Sequence, residues 1–194
     1  EAHDYRAVFS HDSQQIAFAS NRFGNFDVFV MDARGGNAQR LTYHSSDEVP
    51  YTFSQTNNDE DADILFSGRR MDTAEHRQYP SRRLPELYSV PNTGGRVELV
   101  STITLEDVNT SNNGKHLIYH DKKGSENPWR KHHKSSITRD IWHYDIDKNE
   151  HKKLTSFEGE DRSPIYANND KGFYYLSEQS GTFNIHLANI NDPS

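Results

Sequence analysis

The sequence predicts an all-β protein: a partial β-propeller of about four blades, each a four-stranded antiparallel meander. Three observations predict it. An apolar three-residue strand core recurs at Ile16-Ala17-Phe18, Ile64-Leu65-Phe66, Leu117-Ile118-Tyr119 and Phe173-Tyr174-Tyr175, with a pitch of 48, 53 and 56 residues. A further strand follows each core in the same order, at Asp27-Val28-Phe29, Glu86-Leu87-Tyr88, Asp140-Ile141-Trp142 and Asn184-Ile185-His186. Finally, Val28-Phe29-Val30-Met31 and Leu117-Ile118-Tyr119 are apolar or aromatic at successive positions. A sheet wetted on one face alternates, whereas one covered on both faces need not. Meanders covered on both faces stack around an axis as blades.

The elements follow in order. The first unit, residues 3–48, opens with Ala7-Val8-Phe9-Ser10, continues through strands at 16–20 and 27–32, and closes at 38–42. The second, residues 49–104, has Tyr51-Thr52-Phe53-Ser54 and ends on Glu98-Leu99-Val100. The third, residues 105–161, has Val108-Asn109-Thr110-Ser111 and ends on Lys153-Leu154-Thr155. The fourth, residues 162–194, has Pro164-Ile165-Tyr166-Ala167 and no closing strand. Asn113-Gly114 predicts a hairpin of type I′, which needs φ > 0 at both central residues. Gly35-Gly36 and Gly94-Gly95 mark the turn before the last strand. No segment sustains helical spacing, and β-branched and aromatic residues occupy the strand positions. A two-sheet sandwich is the structural alternative, but it leaves the constant internal order unexplained.

The pattern of aromatic-Ser, turn, Ile-x-Phe-x-Ser, Asp-Val-x-Val-Met-Asp, Gly-Gly and Arg40-Leu41-Thr42 resembles the WD40-like repeat of TolB-type propellers. The third unit narrows the resemblance. Asn127-Pro128-Trp129-Arg130-Lys131-His132-His133 and Arg139-Asp140-Ile141-Trp142 resemble the N-terminal propeller of tricorn-like S41 serine peptidases, as do Leu84-Pro85-Glu86-Leu87-Tyr88 and Gly159-Glu160-Asp161-Arg162. Two departures stand out: His11 and Ser13 replace the proline and glycine of the usual Ser-Pro-Asp-Gly turn, and residues 56–63 form an acidic, poorly matching version of it. The resemblance implies a non-catalytic segment that scaffolds a peptidase whose catalytic serine lies far downstream. It implies partners that are peptide substrates or other domains of that peptidase, and export to the periplasm. A cytoplasmic location is the alternative. The second functional reading is a stand-alone TolB-like protein-binding module. The third is an enzyme with charged groups converging at the axis.

Bulk properties set the frame. At 194 residues the chain can bury one sizeable core, and an aromatic share of 11% opposes disorder despite a mean hydropathy of −1.00. No run reaches the roughly 18 apolar residues of a membrane span. With zero cysteines there is no disulfide, thiolate nucleophile or Cys-based zinc site. Three and three-quarter blades fall short of the four to eight of a closed ring, so the expectation is a piece of a larger propeller, with open edges available for association. A compact four-bladed ring and a ring completed by a second copy are the alternatives.

Two insertions separate second from third strands, at residues 69–85 and 121–139. They carry net charges of +3 and +4 on a chain of −7, leaving −14 elsewhere. Alternate loops of a meander emerge at one end, so both insertions are expected on one face. Their candidate contacts to a peptide or partner are Arg69, Arg70, His76, Arg82 and Arg83, with Trp129, Arg130, Lys131, His132, His133 and Lys134. The competing role is a pair of solvated arms held by salt bridges to neighbouring blades. Nucleic acid is not the expected partner, given the acidic remainder and basic residues that sit in two loops and not along an aromatic stacking platform. No cofactor or metal is expected. His116 and His120 lie about 13 Å apart on a strand, and Asp145-x-Asp147-x-Asn149 lacks the glycine and glutamate of a calcium loop. No catalytic residue is assigned, since no Gly-x-Ser-x-Gly elbow, His-Glu-x-x-His or phosphate loop is present.

Overall fold

The computed structural model describes residues 2–54, 62–70, 84–124 and 134–192, and every regular element in them is a β-strand. Sheet 1 comprises β1 (Asp4–Phe9), β2 (Gln15–Ser20), β3 (Asp27–Asp32) and β4 (Gln39–Arg40). Sheet 2 comprises β5 (Val49–Phe53), β6 (Asp63–Gly68), β7 (Glu86–Pro91) and β8 (Glu98–Ser101). Sheet 3 comprises β9 (Leu105–Thr110), β10 (His116–Asp121), β11 (Ile141–Asp145) and β12 (Glu150–Lys153). Sheet 4 has β13 (Asp161–Ala167), β14 (Gly172–Ser177) and β15 (Asn184–Asn189). Each is an antiparallel meander in chain order. The chain divides into two compact units, Glu1–Thr104 with sheets 1 and 2 and Leu105–Ser194 with sheets 3 and 4.

Period-2 geometry decides which side chains meet between sheets. Ala17, Val28 and Val30 of sheet 1 pack on Ile64, Phe66, Tyr88 and Val90 of sheet 2. In the second unit, Ile118 and Ile141 of sheet 3 pack on Phe173 and Tyr175 of sheet 4. Residues pointing the other way are also enclosed: Phe29 is 1% exposed and Leu117 1%. That is why these strands are apolar at successive positions. The recurring aromatics Phe18, Phe66, Tyr119 and Tyr175 are all buried, and Phe66 and Tyr175 lie in the clusters between paired sheets.

The fourth strands of sheets 1 and 3 are shorter or earlier than expected, and the reason is chemical. In sheets 1 and 3 the ladder ends before the Leu-Thr pair. Leu41 N–H donates to Val28 O and Leu154 N–H to Ile141 O, each at 2.8 Å. Val28 N–H then donates to Thr42 Oγ1 (2.9 Å) and Ile141 N–H to Thr155 Oγ1 (3.1 Å). A hydroxyl thus replaces a backbone carbonyl as acceptor. The preceding base completes the motif: Arg40 meets Asp27, and Lys153 meets Asp140, at 2.8 Å in both cases. In sheet 2 Glu98 stands where that base would be, and the equivalent acid, Glu86, accepts from Tyr88 Oη instead. Replacing Thr155 by Val leaves the Ile141 N–H unpaired in the interior, with an expected loss of about 1–3 kcal/mol. Urea midpoints of Thr155→Val and Thr155→Ser check this, with serine retaining most of the stability.

Two further expectations are corrected. Each first strand begins earlier than expected and carries one extra residue relative to its partner. Arg6, Asp107 and Ser163 take positive φ at these bulges, which sequence patterns do not mark. The turn at Asn113-Gly114 is also not type I′. Gly114 alone has positive φ (68°), its N–H donates to Ser111 O, and Asn113 Oδ1 accepts from Lys115 N–H. Asn113 therefore acts through its side chain, as Asp12 does in the equivalent turn, where Ser13 adopts the left-handed conformation (φ 60°) in place of glycine.

Candidate functional site

The roots of the second insertion leave β10 and enter β11, and a cluster of charged side chains gathers there between sheets 3 and 4. Its centre is Glu106 on β9. Lys122 Nζ reaches Glu106 Oε1 at 2.6 Å, His120 Nε2 lies 3.4 Å from Oε2, and Arg139 Nε lies 3.7 Å from Oε2. Burial opposes the charged form of Glu106, but hydrogen bonds from His120 and Lys122 and the charge on Lys122 outweigh it, holding the carboxyl at about 2. Arg139 also grips Glu160 ahead of β13. Lys123 and Lys153 converge on Asp140, and Asp140 N–H donates to Asp121 Oδ1 at 2.9 Å. The two motifs bearing Arg139 and Glu160, which resemble one family in sequence, are here one ion pair.

The bulges position the rest. Ser163, at positive φ, points its N–H at His120 Nδ1 (3.1 Å) and its hydroxyl at Asp107 Oδ2 (2.7 Å). With Nδ1 accepting from an amide, the ring proton sits on Nε2 and faces Glu106. His120 therefore has no lone pair turned to the Ser163 hydroxyl, so this Ser, His and acid do not form a nucleophile–base relay. The chemistry of the cluster is positioning: it ties the insertion's roots to both sheets of the unit.

The sequence-derived candidates fall in three places. Arg70 lies 3.3 Å from buried Glu48 and over the ring of Tyr88, and the Nε of Arg69 is enclosed. Lys134 is exposed and meets Glu158 at 3.1 Å. His76, Arg82, Arg83, Trp129, Arg130, Lys131, His132 and His133 lie outside the described residues. Glu106, Asp107, Glu160 and Ser163 were not singled out as candidates. Glu160 was visible only as part of the Gly159–Arg162 motif, and the others only as an acid or hydroxyl beside a first strand, which becomes meaningful once the bulges bring the strands together. Among the described residues, no group of three or more His, Asp or Glu side chains is placed to hold a metal, and no helix is long and apolar enough to cross a membrane.

A second polar feature of this unit is a cavity of about 230 Å³ lined by Thr155, Phe157, Asp161, Tyr175 and His186. Burial raises the Asp161 carboxyl, opposed by the hydroxyls of Ser177 and Thr155. On β11, the ring of His143 lies 4.9 Å from that of His116. Burial first, then repulsion from His116, lowers His143 to about 4. A histidine held neutral in the fold contributes stability that is complete above the unfolded value near 6.5 and is lost as pH falls from there to about 4. His143→Phe is expected to flatten that slope, which amounts to about 1–2 kcal/mol once solvent screening of a partly exposed ring is included. Thermal midpoints between these pH values measure it.

Comparison with known proteins agrees with this geometry. The family model of the tricorn protease N-terminal beta propeller domain matches residues 1–194. No curated protein matches the chain. A TolB from Agrobacterium tumefaciens superposes with a TM-score of 0.70 at 16% identity, over 99% of this chain and 60% of its own. TolB from Acinetobacter baumannii gives 0.66 at 17%, over 96% and 40%. The tricorn protease gives 0.70 at 18%, over 97% and 18%. This chain thus spans less than two thirds of each of these structures, and at such identities the likeness is one of fold. The repeat seen in the strands and again in the sheets is a propeller repeat, and the chain belongs to the family of the tricorn protease N-terminal β-propeller domain.

Proposed function

We propose that this chain is a non-catalytic propeller module that scaffolds a serine peptidase carried by a longer polypeptide, with the cations of its two insertions as contacts to peptides or another domain. The observation that carries the reading is the family match from end to end. The use of the polar residues supports it: Glu106, His120, Arg139 and Glu160 bind sheet to sheet, and the Ser163 hydroxyl donates to Asp107 and not to His120. Export to the periplasm belongs to the same reading and is tested by cell fractionation. The purified chain is expected to show no peptide turnover. Cleavage that disappears on changing one side chain would overturn the proposal. A parent reading frame with no peptidase region would favour the stand-alone TolB-like module.

The insertions have their own test. Lys122, Lys123 and Arg139 are paired with Glu106, Asp140 and Glu160, so recruitment is assigned to the other cations of the second insertion. Changing Arg130, Lys131 and Lys134 together to Ser is expected to weaken binding of an acidic peptide about tenfold while leaving the thermal midpoint nearly unchanged, because Lys134 and Glu158 form an exposed pair and such pairs contribute little stability. Fluorescence anisotropy and a melting curve on the same samples read both quantities.

A further inference from the structure

In three of the four sheets an acid at the start of the first strand is closed by a base that follows the second strand. Arg22 meets Asp4 at 3.2 Å, Arg70 meets Glu48 at 3.3 Å and Lys122 meets Glu106 at 2.6 Å. Sheet 4 has the acid without the base. Asp161 opens β13 and pairs across the ladder with Ser177, as Asp4 opens β1 and pairs with Ser20. Gln179 then stands where sheet 1 has Arg22, two residues past that serine. Its amide is directed elsewhere: Gln179 Nε2 donates to His186 Nδ1 at 2.8 Å. Arg162, the neighbouring base in sequence, lies over the ring of Phe183.

What remains beside Asp161 is the cavity of about 230 Å³. It lies on the face of sheet 4 that packs on sheet 3, since Tyr175 belongs both to its wall and to that apolar cluster. Two of its wall residues carry enclosed polar atoms with no hydrogen-bond partner. Asp161 is 0% exposed, and neither of its carboxylate oxygens is hydrogen-bonded. The hydroxyls of Ser177 and Thr155 offset only part of its burial. His186 Nε2 is the other unpartnered atom. Because Nδ1 accepts from Gln179, the ring proton sits on Nε2, an enclosed donor at the cavity wall with no acceptor. Native interiors rarely leave such groups unsatisfied. The rings of Phe157 and Tyr175 complete the wall, and an aromatic face attracts a cation.

We propose that this cavity binds a small primary amine that also carries a hydrogen-bond acceptor, the shared chemistry of a free amino acid and of the N-terminal residue of a peptide. The ammonium takes the place that Arg22 fills beside Asp4 and donates to the Asp161 carboxylate. The carbonyl or carboxylate next to it accepts from His186 Nε2. Water alone would supply hydrogen bonds but would leave the buried carboxylate without the positive charge that Asp4, Glu48 and Glu106 each have. The cavity contains no residue of either insertion, and the proposal does not rest on the scaffold reading.

Isothermal titration calorimetry of the chain with trialanine, N-acetyl-trialanine and alanine tests this. Saturable binding of trialanine is expected, weakened about tenfold or more by N-acetylation and by Asp161→Asn, which removes the charge but keeps the shape. Gln179→Arg is expected to abolish binding and to raise the thermal midpoint, because the chain then supplies its own base; loss of binding there is not loss of fold. Alanine binding as tightly as trialanine assigns the site to free amino acids, and weaker binding assigns it to peptide ends. No saturable heat with trialanine or alanine would mean that the cavity holds water alone and would overturn the proposal. So would equal binding of free and acetylated trialanine, or undiminished binding by Gln179→Arg. Turnover of trialanine by the chain alone would defeat the scaffold reading without changing these affinities, so the two failures are distinguishable.

Discussion

Replacing Phe66 by alanine is expected to destabilise the protein by about 3–5 kcal/mol, the largest effect of any single change considered. Phe66 is 0% exposed and lies in the layer shared by sheets 1 and 2, its ring 5.7 Å from that of Tyr88. It packs in one cluster with Ala17, Val28, Val30 and Phe53. A four-stranded meander has too little area to hold its own fold, so the interface between neighbouring sheets supplies most of the stabilising burial. Removing the phenyl ring there costs its transfer free energy and leaves a cavity that two hydrogen-bonded sheets cannot close. Domains are stable by only about 5–15 kcal/mol in total, so poor recovery of folded protein is also expected. Phe66→Leu should retain more than half of the lost stability. A denaturation midpoint shifted by less than about 1 kcal/mol would mean that the layer is not formed as described.

Glu106→Ala is expected to cost about 2–3 kcal/mol at neutral pH and to remove an acid-dependent component of stability. The side chain is enclosed by His120, Lys122 and Arg139, and taking away the carboxylate leaves these donors facing each other. Arg139 keeps Glu160, which limits the loss. The sign of the pH effect follows from the carboxyl being held at about 2, below its ordinary 4.5. Its contribution is complete above about pH 4.5 and disappears as pH falls toward 2. Wild-type protein should therefore lose stability across that window more steeply than the variant. Urea titrations at pH 7, 4 and 2.5 provide the comparison, and parallel curves would contradict the assigned role. The His143 contribution lies at higher pH, between 6.5 and about 4, so the two groups can be read separately.

These predictions depend on features of unequal visibility in the sequence. The second and third strands were legible almost to the residue: Val28-Phe29-Val30 and Leu117-Ile118-Tyr119 read as sheet covered on both faces, and both runs are buried. The Leu-Thr pairs were visible as a pattern, but as strand. Their hydroxyl acceptors became apparent only once Thr42 and Val28, 14 residues apart, were placed together. The bulges were not legible, since Arg6 and Ser163 have no preference for positive φ and the mild one of Asp107 does not mark a bulge.

The sequence by itself determined the repeat, the strand order within each sheet and the absence of thiol chemistry, because period and composition are local properties of the chain. The tertiary structure decided which charges are neutralised. Glu106 with His120, Arg139 with Glu160, and Ser163 with Asp107 are separated by 14, 21 and 56 residues. Coulombic and hydrogen-bonding partners are set by distance in space, and a one-residue bulge in a first strand turns a side chain from one face of a sheet to the other.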